Sequence, residues 1–134
     1  MMGSSTAWFL TNTPDFSGSV LVIERDMSYA NCSTAHTNSC IRQQFSTELN
    51  VRISQYGAEV IQNARQYMGG DDRMPDLKIR SFGYMYLADT ESFADTLRSN
   101  CKVQHAAGTQ TQLMSPDQIK AAYPFYNVDD IVLG

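Results

Sequence analysis

One acid at the end of an apolar run is the clearest candidate for chemistry in this sequence. Glu24 directly follows the run Ser19–Ile23, and Gly3 lies 21 residues before it. A glycine at the start of a helix lets a diphosphate approach free backbone N–H groups, and an acid about 20 residues later can bind a ribose hydroxyl. The pair indicates a dinucleotide site. On spacing alone, an ordinary surface acid at a strand end is an equally weighted alternative.

The elements that would position these residues mix helix with strand. Small and then bulky residues over 3–10 indicate a helix, and the β-branched run Ser19–Ile23 is typical of a strand buried in a parallel sheet. Residues 27–40 form a long polar loop, and long ordered loops are usually functional. Apolar residues at helical spacing then predict a helix over 46–68, which Gly69-Gly70 should end.

The second half of the chain continues this mixed pattern. Thr90 begins a predicted helix that runs to about His105. Ser115-Pro-Asp-Gln begins a third, because serine caps a helix and proline fits its first turn; that helix should end near Tyr123-Pro124. Predicted strands cover residues 77–80, 83–88, 110–114 and 129–134. The order of elements makes the fold class α/β.

Composition excludes several classes of protein. With 134 residues the chain is long enough for one ordinary domain, and 43% hydrophobic and 18% charged residues indicate a globular one. A net charge of -4 with scattered basic residues argues against a nucleic-acid partner. We expect no membrane span, since there is no long apolar run.

The three cysteines do not suggest a disulfide framework or a zinc site. Cys32, Cys40 and Cys101 are odd in number and lack CxxC spacing, and His36 and His105 do not complete a ligand set. We therefore interpret the cysteines as structural or incidental and predict no metal site. Their number suits a reducing compartment, which we take to be the cytoplasm, or the mitochondrion if the source is a eukaryote.

Several motifs together resemble a known family. Met2–Leu10, Val20–Asp26 and Cys32–Ser46 are similar to the DAO family of FAD-dependent oxidoreductases, which includes D-amino-acid, glycine and sarcosine oxidases and dimethylglycine dehydrogenase. Gly83–Ala88 and Tyr123–Asn127 also resemble this family, so the similarity covers nearly the whole chain. It is strongest to the branch of FAD-dependent oxidoreductase domain-containing proteins.

The resemblance implies a partial FAD-binding Rossmann-like domain that lacks its first strand, followed by the start of an α+β substrate domain. Residues 1–46 would be the nucleotide-binding core, and residues 47–134 would supply helical and substrate-domain elements of the same DAO-type domain. The chain would be an N-terminal fragment of a longer enzyme. Because a missing first strand leaves the next strand without its neighbour, we expect this chain to bind FAD weakly or not at all.

The resemblance also implies roles for residues near the N-terminus. Gly3 would be the last glycine of the GxGxxG fingerprint, and Ser4 would start the helix over the FAD diphosphate. Glu24 would bind the adenosine ribose, and Arg25 would lie beside the adenine through its backbone.

Four further cofactor contacts are implied by the polar loop and the segment after it. Ser33 and Thr34 resemble the Ser-Thr pair on the diphosphate side of FAD. His36 falls where some members attach the flavin covalently, but Cys32 and Ala35 depart from that motif, so non-covalent contact, covalent attachment and simple exposure all remain open. Arg42 resembles an arginine near the flavin, with a surface arginine as the alternative.

The family implies oxidation of a C–N bond in a small amine or amino-acid substrate, by hydride transfer to FAD. Oxygen or an electron-transfer partner would accept the electrons, and the catalytic residues are unknown. One alternative is an NAD(P)-dependent Rossmann enzyme. Another is a non-catalytic assembly or interaction protein with a vestigial flavin site.

Overall fold

Residues 2–134 are described by a computed structural model and form five helices. These are α1 Met2–Thr11, α2 Glu48–Gln62, α3 Ala64–Tyr67, α4 Glu91–Ala106 and α5 Pro116–Ala122. Within the same residues, β pairing is limited to isolated positions near Ala88 and the C-terminus. The chain forms two compact units, one that ends at Cys40 and one from Ile41 to Gly134.

The first unit begins with α1, which confirms the helix predicted over residues 3–10. Side chains at its C-terminal end satisfy carbonyl groups that the helix leaves open. Asn12 Nδ2 donates to the Trp8 carbonyl at 2.8 Å, and Thr13 Oγ1 donates to the Phe9 carbonyl at 2.9 Å. No residue of α1 is buried, so this helix is stabilised locally.

The strand predicted at Ser19–Ile23 is not formed. These residues have no regular secondary structure, and the side chains of Leu21 and Ile23 are 83% and 82% exposed. A strand is held by hydrogen bonds to a neighbouring strand, and residues 2–40 contain no strand that could pair with this one. The β-branched residues of this segment therefore favour a strand, but the strand does not form because it lacks a neighbouring strand within residues 2–40.

The core of the second unit lies where α2 packs against α4. Val51 of α2 is fully buried, and Ile119 of α5 is fully buried as well. The buried residues of α4 are Ala94, Cys101 and Gln104. Their spacing places them on one stripe of the helix, which is the face that a packed amphipathic helix buries.

The helix predicted over residues 46–68 is confirmed but interrupted. Asn63, with φ -109° and ψ 23°, separates α2 from the short α3. Its side-chain amide donates to the Glu59 carbonyl at 3.0 Å, so it satisfies a group at the break. Gly69 and Gly70 end the segment as predicted, with φ of 72° and 79°, a conformation that favours glycine.

The starts of α4 and α5 are capped as the sequence predicts. Thr90 Oγ1 accepts a hydrogen bond from the Phe93 N–H at 3.4 Å. At α5, Ser115 Oγ accepts from the Gln118 N–H at 3.3 Å, and Gln118 Oε1 accepts from the Ser115 N–H at 2.8 Å. This reciprocal pair is a capping box, and Pro116 occupies the start of the helix.

The C-terminal segment lies between two other parts of the second unit. The Ala88 N–H donates to the Leu133 carbonyl and the Val132 N–H donates to the Ala88 carbonyl, both at 2.7 Å. On the other side, Met114 and Gly134 exchange two backbone hydrogen bonds of 2.8 and 3.0 Å. The strands predicted over 77–80, 83–88, 110–114 and 129–134 are not formed in the described residues. Single paired positions occur instead.

Candidate functional site

Gly3 and Ser4 lie in the first turn of α1, where the sequence predicts a diphosphate contact. Both are exposed, and this turn contains no acidic side chain that would repel an anion. A Cβ added to Gly3 would meet no atom within 4 Å, so the backbone there is open to solvent. The N–H groups of such a turn have no partners inside the helix and can donate to phosphate oxygens.

Glu24 is held by its own loop. Its Oε1 accepts a hydrogen bond from the Asp26 N–H at 2.9 Å, and its Oε2 has no hydrogen bond within residues 2–134. Arg25, between these two acids, is exposed. The geometry fixes the Glu24 carboxylate and leaves one oxygen able to accept from a hydroxyl.

Asp26 organises the start of the polar loop. Its Oδ1 accepts from the Ser28 N–H at 3.0 Å and from the Ser28 hydroxyl at 2.6 Å, while Asn31 Nδ2 approaches Oδ2 at 3.4 Å. These donors, the Ser28 hydroxyl foremost, hold the pKa of the Asp26 carboxyl below its usual value. Sequence reasoning missed this residue, although Asp followed two positions later by Ser is a recognisable turn signal.

Ser33, Thr34 and His36 follow in consecutive turns. The Cys32 carbonyl accepts from the Ala35 N–H at 3.0 Å and from the His36 N–H at 3.3 Å. All three predicted side chains are exposed, and within residues 2–134 none of them makes a side-chain hydrogen bond. The backbone is therefore ordered, while both hydroxyls and the imidazole are available to a ligand.

Arg42 belongs to the second unit and lies against aromatic rings. Its guanidinium carbon is 5.1 Å from the centre of the Phe45 ring and 5.7 Å from that of Tyr86. A cation over an aromatic face is attracted by the ring quadrupole, so these two contacts orient the charge. Arg42 is exposed and forms no ion pair within the described part of the chain.

Two glutamines fix the segment that contains Arg42. Gln44 Nε2 donates to the Tyr84 carbonyl at 3.1 Å, and Gln104 Nε2 donates to the Phe45 carbonyl at 3.2 Å. The Oε1 atoms of both glutamines are buried and have no hydrogen-bond partner among residues 2–134. Sequence reasoning missed both residues. A signal existed for Gln104, a polar residue on the apolar stripe of α4.

The predicted contacts are not all brought together. Seven of the eight belong to the first unit, and Arg42 belongs to the second. Within residues 2–40, each side-chain hydrogen bond joins positions no more than five apart in sequence, as in the Asn31–Asp26 pair. The structure thus orders each group of contacts locally, without a hydrogen bond between α1 and the loop of Glu24.

The hydrogen-bond donors and acceptors of the predicted site residues match the chemical groups of FAD. Helix N–H groups and the hydroxyls of Ser33 and Thr34 are donors for a diphosphate, and Glu24 Oε2 is an acceptor for a ribose hydroxyl. Arg42 offers a fixed positive charge for an anionic group.

Comparison with known proteins shows which family this chain belongs to. A family model described as FAD dependent oxidoreductase (DAO) matches residues 1–134. The chain belongs to this family. Membership implies an FAD-binding Rossmann-like fold and points to an oxidoreductase, which confirms the resemblance seen in the three N-terminal motifs.

The chain is also similar to curated relatives named FAD-dependent oxidoreductase domain-containing protein 1. It is 37% identical to the protein of Bos taurus, with 100% of this chain and 28% of the relative covered. Identity is 35% to the Xenopus laevis protein, with 100% and 27% covered. The Drosophila melanogaster homolog is 30% identical, with 99% and 25% covered. The chain therefore spans about a quarter of the length of these relatives.

No solved structure matches the chain significantly. Among residues 2–134, none of the helices combines the length and the apolar character that crossing a bilayer requires.

Proposed function

We propose that this chain supplies contacts to the ADP half of FAD in an enzyme that oxidises a C–N bond of a small amine or amino acid. Family membership over residues 1–134 supports the cofactor. The observation that carries the proposal is at Glu24, where one carboxylate oxygen is held by the Asp26 N–H at 2.9 Å and the other is available. A carboxylate fixed in this way binds a ribose hydroxyl without first having to be ordered.

The diphosphate contacts come from two places in the first unit. The first turn of α1, at Gly3 and Ser4, offers backbone N–H groups with the positive end of the helix dipole behind them. The hydroxyls of Ser33 and Thr34 add donors that make no hydrogen bond within residues 2–134. Arg25 lies beside the adenine, and its backbone makes that contact.

His36 and Arg42 serve the flavin side. His36 makes a non-covalent flavin contact, because Cys32 and Ala35 replace the residues that flank the covalently linked histidine in the resembling members. Arg42 balances the negative charge of the phosphates or of the reduced flavin, and its contacts with Phe45 and Tyr86 limit how far that charge can move.

Bound FAD would supply the redox chemistry, as the acceptor of a hydride from the carbon beside the substrate nitrogen. The residues of this chain bind and orient the cofactor, and we assign none of them as a catalytic acid or base. Oxygen or an electron-transfer partner would be the final electron acceptor. We place the protein in the cytoplasm, or in the mitochondrion of a eukaryote.

The proposal is tested by titrating the chain with FAD while following flavin fluorescence. We expect weak, saturable binding for which ADP-ribose competes more strongly than FMN, because the ribose and adenine contacts proposed for Glu24 and Arg25 lie on the ADP half. Glu24→Gln should weaken binding by about 10-fold, since an uncharged amide accepts a weaker hydrogen bond. Asp15→Asn, which neutralises an exposed acid in the same unit, is the matched control and should change nothing.

Three results would contradict the proposal. A Glu24→Gln variant that binds FAD as tightly as the original chain would remove the ribose contact, and stronger competition by FMN than by ADP-ribose would place the contacts on the wrong half. Competition by NAD at lower concentration than FAD would favour the alternative of an NAD(P)-dependent enzyme.

A further inference from the structure

Helix α2 has a second apolar side that is largely exposed. Four apolar residues follow one another along it at steps of three or four positions and so share one side of the helix: Leu49, Ile53, Tyr56 and Val60. The first three are 68%, 59% and 46% exposed, and the fourth is half-buried. We call this row the Leu49 stripe. An uncharged apolar row of this kind is what a helix buries against another surface.

The Leu49 stripe lies opposite the side of α2 that faces the core. Val51 is fully buried, and Gln55 Nε2 donates at 3.0 Å to the carbonyl of Ala107, which ends α4. At about 3.6 residues per turn, Val51 and Gln55 lie on the side of the helix away from the stripe. Packing against α4 therefore uses one side of α2, and the stripe is available for a further contact.

One edge of the stripe carries charges in a fixed order, and we call it the charged edge. Arg52 and Glu59 are two helical turns apart on this edge, and both are exposed. Arg52 Nη2 lies 2.7 Å from Glu48 Oε1, and the Tyr67 hydroxyl donates to Glu59 Oε1 at 2.9 Å. These contacts hold both side chains along the edge, so their charges are already in place for an approaching surface.

The order of charges favours a second α2 helix that runs antiparallel to the first. A two-fold axis that relates antiparallel helices brings the same edge of each helix together. When the two stripes are aligned, Ile53 of each copy faces Tyr56 of the other. In that register Arg52 of each copy is within one helical turn of Glu59 of the other. The two opposite charges therefore meet twice, once on each side of the axis.

Other arrangements of the two helices lose this match. A parallel pair brings opposite edges together, so the charged edge would meet Asn50, Ser54 and Gly57, which carry no charge. Sliding the antiparallel pair by one turn toward the N-terminal ends would bring Glu48 of one copy near Glu59 of the other, and like charges repel. The charge pattern therefore selects both the direction and the register.

We propose that two copies of this chain associate through the Leu49 stripe, as an antiparallel pair of α2 helices with Arg52 of each copy beside Glu59 of the other. The contact buries the same side chains on both copies. One helix pair buries less area than a stable dimer usually needs, so the association is a weak and reversible equilibrium in the micromolar range. It uses none of the residues of the proposed flavin site.

Sedimentation equilibrium of the complete chain tests the contact, in reducing buffer that excludes dimers linked through the exposed Cys40. We expect a concentration-dependent equilibrium of monomer and dimer. Ile53→Glu places a charge at the centre of the stripe and should raise the dissociation constant of the dimer at least about 10-fold. Phe82→Glu makes the same change at an equally exposed apolar residue outside α2 and should leave that constant unchanged. Circular dichroism should show the same helicity for both variants.

Charge reversal tests the antiparallel register. Arg52→Glu and Glu59→Arg each place like charges across the contact, so each variant alone should dimerise about 3- to 10-fold more weakly. Mixed in equal amounts, the two variants restore both opposite-charge pairs and should form a heterodimer within about 2-fold of the original affinity. Lys78→Glu makes the same change in net charge as Arg52→Glu at a residue outside α2, and Tyr67→Phe removes the hydroxyl bonded to Glu59; these two controls should dimerise as the original chain does.

Three results would overturn the proposal: a chain that stays monomeric at about 1 mM, an Ile53→Glu variant that dimerises as tightly as the original chain, or a mixture of the two charge variants that dimerises no better than either alone. Loss of association in Leu21→Asp but not in Ile53→Glu would instead assign the contact to the exposed run Ser19–Ile23. The solutions contain no flavin, so the outcome is independent of the proposed function.

Discussion

The side-chain amide of Gln104 donates to the Phe45 carbonyl at 3.2 Å, although the two residues are 59 positions apart in the sequence. Phe45 is the residue whose ring lies 5.1 Å from the Arg42 guanidinium. A buried residue of α4 therefore holds the backbone at Phe45, the residue whose ring contacts Arg42.

Gln104→Met should destabilise the second unit by about 1 kcal/mol. The substitution keeps the volume but leaves the Phe45 carbonyl without its donor, which typically costs about 1–3 kcal/mol. The loss should fall at the lower end, because the buried and unpartnered Gln104 Oε1 is removed as well. Urea unfolding measures it, and Gln110→Met at an exposed position is the control. Equal stability of the two variants would contradict the anchoring role.

Ser115→Ala should cost about 1 kcal/mol, because it removes the side-chain half of the capping box at α5. Thr47→Ala provides a matched comparison, since Thr47 precedes α2 but its side chain makes no capping hydrogen bond. Thermal unfolding followed by circular dichroism should show a lowered Tm for the first variant and little change for the second. A similar loss in both would show that the Ser115 bond is not what stabilises α5.

Gly134→Ala should destabilise the second unit by about 1 kcal/mol or more, as overpacking does. A Cβ there would lie 2.6 Å from Ile119 Cδ1, 3.1 Å from Leu87 Cδ2 and 3.3 Å from the Tyr86 carbonyl. Ile119 is fully buried, so a shift of its Cδ1 would have to be accommodated by the side chains packed around it.

Gly57→Ala is the control for that substitution and should have the opposite sign. Gly57 lies inside α2, and a Cβ there meets nothing within 4 Å. Alanine in a helix interior is favoured over glycine by roughly 0.5–1 kcal/mol. Urea unfolding of both variants should therefore move in opposite directions, and a loss of stability in both would contradict the packing argument at Gly134.

The polar loop that begins at Asp26 should open in acid. The pKa of the Asp26 carboxyl is lower in the folded chain than its ordinary value of 3.8, because the ionised carboxylate accepts from Ser28 and Asn31. The stabilisation is therefore complete above pH 3.8 and is lost as the pH falls through the lower folded value. NMR titration of the Asp26 carboxyl and of the Ser28 amide should give one shared midpoint below 3.8. In Asp26→Asn the Ser28 amide should show no transition in that range, and a midpoint at or above 3.8 in the original chain would contradict the prediction.

Helices and their ends could be predicted because their signals are local. Thr90 and Ser115 cap helices within three residues of themselves, the Gly69-Gly70 pair ends the segment after α2, and α5 ends at Ala122, immediately before Tyr123-Pro124. Family motifs were also readable, since the matched residues are contiguous in sequence. The roles assigned to Gly3, Glu24, Ser33 and the other cofactor contacts stay predictions that the FAD titration tests.

The sequence by itself determined the positions of the helices, the caps and the family, because each depends on residues that are near one another along the chain. Only the tertiary structure decided the rest. Ser19–Ile23 has strand propensity but no strand to pair with among residues 2–40, whereas Gly134 pairs with Met114 across twenty residues of sequence. The donation from Gln104 to Phe45 and the shared approach of Cys101 and His105 to Thr111 likewise depend on how the chain folds back on itself. Strand pairing and buried hydrogen bonds join distant residues, so no local pattern specifies which partners will meet.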